Sequence, residues 1–462
     1  MPTLKQKTKQ VPGLQYIVDN LQFLSTAGRQ RMLSQPLLTD PVQLRQAQAD
    51  VRLMRQALGD ATQAAAVAQL RHQLMQLHDI GTTLQGLASR VLLTEVDLFE
   101  IKNLSRVATL AAQALGQLGL AQRFPLPDLD GCFQLLDPDH TGMTHFYIYD
   151  SYHPRLGALR RQMRQADDDA MAQLLSEQDD IQQQVILRLC DALRPHADAL
   201  ARALGQLAYL DTLCARAELA DAWCLVEPQE QGQGLLLRGL VNPRLRQRNL
   251  DAGLRYQPVD IQLGRGVTLV TGANMAGKTV LLKSVGVAQL MYQFGLPVPA
   301  DAAALEPFDD ILFCIGDEQD EMNGLSSFAA EITRISDLLR RSQAERLLIL
   351  IDEPARTTNP VEGKAIVQAL VQLLQGRDSV ALVTTHYSQL GVACRRLRVK
   401  GFVERLVDAP LTAGSINRYI DYSLEPDDSD QAPSEALRIA ELLGCDADLL
   451  AAARGFISAV GE

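Results

Sequence analysis

The pattern of hydrophobic and polar positions divides the chain into two parts. Residues 1 to about 232 are rich in Leu, Ala, Gln and Arg, and their apolar positions recur at helical spacing with few strand signals. A Gly- and Gln-rich stretch, residues 229–239, leads into a part that contains short apolar runs suited to buried strands. The pattern therefore predicts an all-α domain over residues 1–232 and an α/β domain over residues 233–462.

One of these apolar runs opens a chemical motif. Residues 267–286 read VTLVTGANMAGKTVLLKSVG, in which a β-branched run leads through a turn into an amphipathic helix. The motif G-x-x-x-x-G-K-[ST], the phosphate loop, is matched by Gly272, Gly277, Lys278 and Thr279. Glycine lets the backbone aim successive N–H groups at an anion, and the positive end of the helix dipole adds attraction.

Each polar residue of this loop has an expected role. The Lys278 ammonium should reach the β- and γ-phosphates of ATP, and the Thr279 hydroxyl should ligate Mg²⁺. The predicted nucleotide-binding set also includes Asn274 within the loop and Val280 just after it. The alternative is a glycine-rich turn that binds nothing, and a partner motif downstream argues against it.

Two further buried strands are predicted to end near the loop. The run LLILIDEP, residues 347–354, is too short for a typical helix and delivers Asp352 and Glu353 at its carboxyl end, where doubly wound sheets bind ligands. Asp352 is expected to hold Mg²⁺ through its hydration shell, and Glu353 is the natural general base for an attacking water. The strand SVALVTTH, residues 379–386, ends in His386, which is either a sensor of the γ-phosphate or a structural residue.

Composition and charge limit the classes of function. The 462 residues exceed one compact core, and a composition of 47% hydrophobic and 21% charged residues is typical of globular domains. Neither a long uncharged apolar stretch nor a signal peptide is evident, and seven scattered cysteines predict buried thiols, so we expect a cytoplasmic protein without a membrane segment. A net charge of −11 argues against a broad basic face that grips duplex DNA unaided.

Most of the chain resembles the MutS family of ATPases. TAGRQRMLSQPLLTD, residues 26–40, is similar to a helical-core motif of that family, and LAYLDTLCARAELADAW, residues 207–223, to the stretch where its long lever helix returns to the ATPase. Within the ATPase, IGDEQ at 315–319 and TTNPVEG at 357–363 look most like the branch that usually carries a C-terminal Smr endonuclease. The resemblance implies an α/β P-loop NTPase of the ABC type, preceded by an all-α core and lever domain.

The resemblance also implies roles for matching residues. GLSSF, residues 324–328, resembles the signature loop that reaches across a dimer, so Ser326 and Ser327 would contact the γ-phosphate held by the other subunit; otherwise paired serines commonly cap a helix. Tyr256 stands where the family has an aromatic that stacks on adenine, or it is a half-buried strand tyrosine. Gln319 sits at the loop that links the nucleotide to the moving lever.

The chain also departs from the family pattern. Ala273 and Ala276 replace the P-loop proline and second glycine, and Ala355 stands where the family usually has Gly, which affects rate and coupling rather than chemistry. From the sequence we expect a chain that starts almost directly at the helical core, with a DNA clamp between about Arg164 and Ile181 that is very short or absent and without a following Smr nuclease. We therefore expect no autonomous mismatch recognition.

Two functions remain open at this point. Two ATP molecules between two ATPase domains would close a homodimer, or a heterodimer with a paralogue, and hydrolysis would release it, which makes the protein a switch. In one alternative the switch remodels a protein partner, for example by reactivating an adenosylcobalamin-dependent aminomutase. In the other it is a mismatch-repair or recombination ATPase that binds DNA structures. The short clamp and the charge slightly favour a protein partner, whereas the family favours DNA.

Overall fold

The computed structural model describes residues 1–142, 146–230, 232–273, 276–316, 327–403, 416–427, 437, 440–441 and 443–460. These residues form two compact units. The first unit consists of residues 1–20, 36–49 and 219–462, and the second of residues 21–35 and 50–218. The units interleave along the chain, so they do not coincide with a single division near residue 232. The two domains inferred from the sequence stay a prediction.

The N-terminal half of the chain is helical in the described residues. Its helices are α1 Leu4–Gln10, α2 Pro12–Asp19, α3 Thr26–Ser34, α4 Pro41–Gly59, α5 Ala64–Met75, α6 Gly81–Ala88, α7 Glu95–Gln117, α8 Asp130–Leu135, α9 Leu156–Met163, α10 Asp168–Leu193 and α11 Ala197–Ala222. Helix α7 begins at a capping box, in which Thr94 and Asp97 satisfy each other's backbone N–H groups. A continuous apolar core in the second unit is built from the facing sides of helices α3 to α11.

Helix α3 is fixed by a buried carboxylate. The Asp211 side chain is fully buried and accepts hydrogen bonds from the Leu24 N–H at 2.9 Å and the Ser25 N–H at 2.8 Å. The Ser25 hydroxyl also donates to Asp211 at 2.5 Å and accepts from the Gly28 N–H, as an N-cap does. Because these bonds satisfy the carboxylate, its burial between helices is tolerated.

The first unit contains two sheets. The smaller has the order β1 Gln229–Glu230, β5 Ala302–Leu305, β2 Leu235–Leu240 and β3 Val259–Leu263. The larger has the order β10 Ile420–Pro426, β9 Arg395–Phe402, β4 Gly266–Thr271, β8 Val380–Thr384, β7 Leu347–Asp352 and β6 Asp310–Cys314. All its neighbouring strands run parallel except the antiparallel pair of β10 and β9.

The central strands of the larger sheet are the apolar runs that the sequence predicts. Strand β8 is buried at every position, and strands β4 and β7 are buried at every position before the last. Parallel strands covered on both faces have this burial pattern. The remaining helices are α12 Pro243–Asp251, α13 Lys278–Gln293, α14 Ser327–Arg341, α15 Pro360–Gln375 and a last helix, Ala447–Val460. This α/β arrangement agrees with the expected fold of the C-terminal part.

The N-terminal segment belongs to the first unit because it makes specific contacts there. The buried Lys7 ammonium lies 2.5 Å from the Asp310 carboxylate and donates to the Ile311 carbonyl at 2.9 Å, where β6 begins. A Cβ on Gly13 would lie 2.8 Å from the side chain of Val287 on α13. Residues 1–20 therefore pack as part of the unit that contains the larger sheet.

Two expectations from composition can be compared with the fold. Cys132, Cys190, Cys214 and Cys314 are buried as expected, but Cys224 and Cys445 are exposed, so the expectation of uniformly buried thiols was wrong. Scattered single cysteines carry no periodic pattern, and burial depends on the face that each element presents. No helix in the described part of the chain is long and apolar enough to span a membrane.

Candidate nucleotide-hydrolysis site

The phosphate-loop residues lie between β4 and α13. Gly272 has φ 154° and Gly277 has φ 77°, so the loop uses two backbone conformations that side chains disfavour. Helix α13 begins at Lys278, directly after Gly277. A Cβ on Gly277 would lie 3.0 Å from the ring of Tyr422 on β10. Glycine is therefore required here for both conformation and space.

The Lys278 side chain is buried at the mouth of this loop. Its ammonium donates to the carbonyl of Gly272 at 2.7 Å and to that of Ala273 at 3.1 Å. The Glu353 carboxylate lies 3.3 Å from the same nitrogen. The Lys278 ammonium, which has three N–H donors, thus lies between the loop and the end of β7. An anion bound in the loop would contact it there.

Asp352 links the ends of strands β7 and β8 to the first turn of helix α13. Its Oδ2 accepts from the Thr279 hydroxyl at 2.7 Å, and its Oδ1 accepts from the Thr384 hydroxyl at 2.6 Å. The sheet register explains this, because Thr384 on β8 pairs with both Asp352 on β7 and Val270 on β4. The carboxyl ends of three adjacent parallel strands therefore converge on one point, which is where open α/β sheets place their ligands.

Glu353 has a strained backbone and charged neighbours. Its φ of 45° is left-handed, which costs a non-glycine residue about 1–2 kcal/mol, and its N–H donates to the carbonyl and the hydroxyl of Thr384. The carboxylate is mostly buried and also lies 3.7 Å from Arg356 and 4.0 Å from the Nδ1 of His386. His386 is half exposed and follows the end of β8 by two residues. The structure thus brings Lys278, Glu353 and His386 together.

Thr279 and Asp352 provide oxygen ligands suited to Mg²⁺. Their hydroxyl and carboxylate oxygens lie side by side next to the loop, and Mg²⁺ in phosphate sites is held by one or two such oxygens together with substrate phosphates and water. No group of three or more His, Cys, Asp and Glu side chains suited to a metal occurs among the described residues. Thr279 and Asp352 are enough for a Mg²⁺ site in which phosphate and water oxygens supply the other ligands.

Tyr256 occupies the loop between α12 and β3. Its hydroxyl accepts from the Asn242 N–H at 2.8 Å, and burial raises the pKa of its phenol. The next residue, Gln257, binds Asp421 and the backbone N–H of Tyr422 on β10. Tyr256 is therefore connected, through Gln257, to the strand whose Tyr422 ring covers Gly277. Its hydroxyl is engaged by the backbone, and its stacking role stays a prediction.

Several predicted site residues lie outside the described part of the chain. Asn274, Gln319 and Ser326 are among them, and of Ser327 only its position at the start of α14 is described. Val280 is partly buried in the first turn of α13. The roles inferred for these residues from the family resemblance stay predictions.

Sequence reasoning missed three residues of this region. Tyr422 packs on the phosphate loop, Asp427 accepts from the hydroxyl of Thr271 at the end of β4, and Glu331 on α14 binds the backbone after Glu353. Residues 420–425 alternate apolar and polar side chains, which is a strand signal that could have brought Tyr422 to a sheet edge. Nothing in the sequence pattern brings Glu331 to residue 355, because that contact depends on how α14 packs.

Comparison with known proteins identifies this arrangement. Residues 268–460 match the family model described as MutS domain V. The chain is 37% identical over 221 residues to the Endonuclease MutS2 of Gemmatimonas aurantiaca, which covers 47% of this chain and 26% of that protein. It is 32% identical over 280 residues to the DNA mismatch repair protein MutS of Thermus thermophilus, which covers 60% of this chain and 33% of that protein.

The matches thus span at most about a third of these relatives. The residues that match the family model include the phosphate loop, Asp352, Glu353 and His386. Residues 268–460 are therefore similar to the ATPase domain of the MutS family.

Proposed function

We propose that this protein is a Mg²⁺-dependent ATPase whose nucleotide state acts as a conformational switch on a macromolecular partner. The hydrogen bond between Thr279 and Asp352, next to the buried Lys278, carries the proposal. The Thr279 hydroxyl, the Asp352 carboxylate and the Lys278 ammonium thus lie together at the carboxyl ends of the parallel strands. That combination suits a metal-bound triphosphate.

Each residue has a role in the proposed reaction. Backbone N–H groups of the loop and the Lys278 ammonium bind and orient the phosphates of ATP. Mg²⁺, held by Thr279 and Asp352, would neutralise charge that develops on the phosphate oxygens. Glu353 accepts a proton from the attacking water, which forms a bond to the γ-phosphorus as the bond to the ADP oxygen breaks. His386, 4.0 Å from Glu353, orients that carboxylate or the γ-phosphate.

The switch would operate in a dimer, homomeric or formed with a paralogue. Two ATP molecules between two such domains would favour a closed state, and hydrolysis would favour an open one. The signature serines that would complete each site from the other subunit lie at 326 and 327. This part of the proposal rests on the family resemblance alone.

The macromolecular partner is either a protein or a nucleic acid. Remodelling of a protein partner remains a candidate, but neither relative described above is named for an aminomutase. Nucleic acid is the second candidate, since relatives are named as a mismatch repair protein and an endonuclease.

The exposed arginines of helix α12 and of the loop after it specifically favour nucleic acid. Helix α12 has no buried residue, and Arg244, Arg246 and Arg248 are exposed on it, with Arg255 exposed just beyond. Among the described residues none of these arginines has an ion-pair partner. Four unpaired guanidinium groups within twelve residues are unusual on a chain of net charge −11, and they suit a phosphate backbone.

ATP hydrolysis by the purified protein tests the central proposal. Lys278→Ala should abolish Mg²⁺-dependent hydrolysis, and Glu353→Gln should bind ATP but not turn it over, so that it accumulates as an ATP-bound dimer in size-exclusion chromatography. If Glu353→Gln hydrolyses ATP at the wild-type rate, the assignment of the base is wrong.

Binding to linear and branched DNA tests the second partner class. Replacing Arg244, Arg246 and Arg248 by Gln should weaken binding and reduce the slope of log K against log salt by about 2–3. The matched control replaces exposed Lys5 and Lys9 of α1 by Gln, which should change the slope little. An equal loss in both variants, or no DNA binding at physiological salt, would turn the search to a protein partner.

A further inference from the structure

The backbone after the predicted base is strained and needs external support. Glu353 has φ 45° and Ala355 has φ 59°, and both flank Pro354. Neither residue is glycine, so surrounding groups must hold the segment in this conformation. Thr384, at the end of β8, holds the Glu353 N–H. What holds Ala355 then determines where the Glu353 carboxylate can point.

Both backbone polar groups of Ala355 are bound by side chains from other elements. Its N–H donates to the Glu331 carboxylate at 2.9 Å, and its carbonyl accepts from the Tyr387 hydroxyl at 3.1 Å. A Cβ on Gly363 of α15 would lie 2.9 Å from the Ala355 oxygen, so that helix closes a third side. Ala355 is itself fully buried. Glu331 of α14, Gly363 of α15 and Tyr387 thus hold this segment in place, and we call these three residues the clamp.

Glu331 is the charged member of this clamp. It is half-buried on α14, and burial raises the pKa of its carboxyl despite the Ala355 N–H and the positive charge of Arg356. A carboxylate at such a position makes a stronger hydrogen bond to a backbone N–H than a neutral acceptor does. The bond reaches the loop after Glu353, whereas the hydrogen bonds of Lys278 and Thr279 on α13 go to the phosphate-loop carbonyls and to Asp352.

We propose that Glu331 is a positioning residue for hydrolysis: its hydrogen bond to the Ala355 N–H keeps the Glu353 carboxylate facing Lys278. The proposal rests on the function proposed above and adds a residue through which helix α14 can change the rate of hydrolysis. A shift of α14 that breaks this bond slows hydrolysis without releasing the nucleotide, because the hydrogen bonds that hold Lys278 and Thr279 in the site do not involve α14. Helix α14 thereby acts on the rate of the chemical step.

Glu331→Ala tests the proposal in the full chain. We expect kcat for ATP to fall about 10- to 100-fold, the range that a small misplacement of a catalytic group produces. KM for ATP and the Kd for ADP should stay within about twofold of wild type. Glu331→Gln keeps an oxygen that can accept the N–H and should restore most of kcat. Asp337→Ala is the control, since Asp337 is exposed on the same helix and pairs only with Arg340 among the described residues.

A second variant tests the proposal independently, in case Glu331→Ala does not fold. Tyr387→Phe removes the hydrogen bond to the Ala355 carbonyl and leaves Glu331 intact, and it should lower kcat in the same sense by a smaller factor. Wild-type kcat in both variants would overturn the proposal. So would a parallel loss of ADP binding and of melting temperature in Glu331→Ala, or equal defects in Glu331→Ala and Glu331→Gln.

The outcomes separate this proposal from the one on which it rests. If Lys278→Ala hydrolyses ATP as fast as wild type, the proposed ATPase site is wrong. If Lys278→Ala is inactive while Glu331→Ala has the wild-type kcat, only the role of Glu331 is wrong.

Discussion

Gly28 on α3 lies directly against the buried side chain of Asp211 on α11. A Cβ on Gly28 would lie 2.7 Å from the Cβ of Asp211 and still closer to its carboxyl oxygen. The carboxylate cannot move aside freely, because it is held by the Leu24 and Ser25 N–H groups and the Ser25 hydroxyl. The contact explains why a glycine occurs within the helix α3, where glycine is otherwise unfavourable.

Gly28→Ala should therefore destabilise the second unit. We expect a loss of about 1–3 kcal/mol in the free energy of unfolding, as for overpacking of a dense core, measured by urea denaturation. The control is Gly116→Ala near the end of α7, where a Cβ would meet no atom within 4 Å. That change should be neutral or slightly stabilising, because alanine favours helix. Equal effects of the two substitutions would contradict the steric argument.

Lys7→Met should destabilise the first unit. The substitution leaves the buried Asp310 with Arg341, 3.1 Å away, as its remaining cationic partner among the described residues. We expect a loss of about 3 kcal/mol, near the lower end for a broken buried pair. Urea unfolding measures it, with the exposed Lys9→Met of the same helix as a control expected to change stability by less than about 0.5 kcal/mol. A loss no larger than in the control would show that α1 is not an integral part of this unit.

Asp352→Asn should remove the Mg²⁺ dependence of hydrolysis. A neutral amide is a poorer ligand for Mg²⁺ than a carboxylate. Because a bound metal ion stabilises the transition state by several kcal/mol, its loss should lower the rate of hydrolysis at least about 100-fold. Binding of ATP in EDTA should persist because Lys278 and the loop remain. The control is Glu362→Gln on α15, an exposed carboxylate outside the site. An Asp352→Asn variant with unchanged Mg²⁺ dependence would refute the assigned metal site.

Acid should weaken the contact between β10 and the Tyr256 loop. Although partial burial acts against it, hydrogen bonds from Ser423 and Gln257 and the charge of Lys400 lower the pKa of Asp421 to about 2. A carboxyl whose folded pKa lies below its unfolded value of 3.8 stabilises the fold at higher pH. This contribution is complete well above pH 3.8 and is lost as the pH falls from there towards 2.

Asp421→Asn isolates this pH dependence. The difference in unfolding free energy between wild type and variant should be constant between about pH 6 and pH 7 and should shrink below about pH 4. Urea denaturation at each pH gives the difference. A difference that stays constant down to pH 3 would mean that Asp421 does not titrate as stated.

The sequence by itself determined the local chemistry of the nucleotide site. Buried apolar runs of five or six residues define β4, β7 and β8, and a glycine-containing turn and two acidic residues follow at their ends. Such signals are local because a phosphate loop needs glycine for its backbone and because parallel strands buried on both faces must be apolar throughout. The resemblance to the MutS family came from further motifs, among them residues 26–40 and 357–363.

Only the tertiary structure decided what surrounds that chemistry. The packing of α14 brings Glu331 to Ala355, the pairing of β10 with β9 brings Tyr422 onto Gly277, and Lys7 pairs with Asp310 across 303 positions of the chain. These contacts join residues far apart in sequence, so no periodicity or spacing encodes them. The left-handed φ of Ala355, where the family usually has Gly, is likewise visible only in the fold, since alanine is tolerated there only with the support of its neighbours.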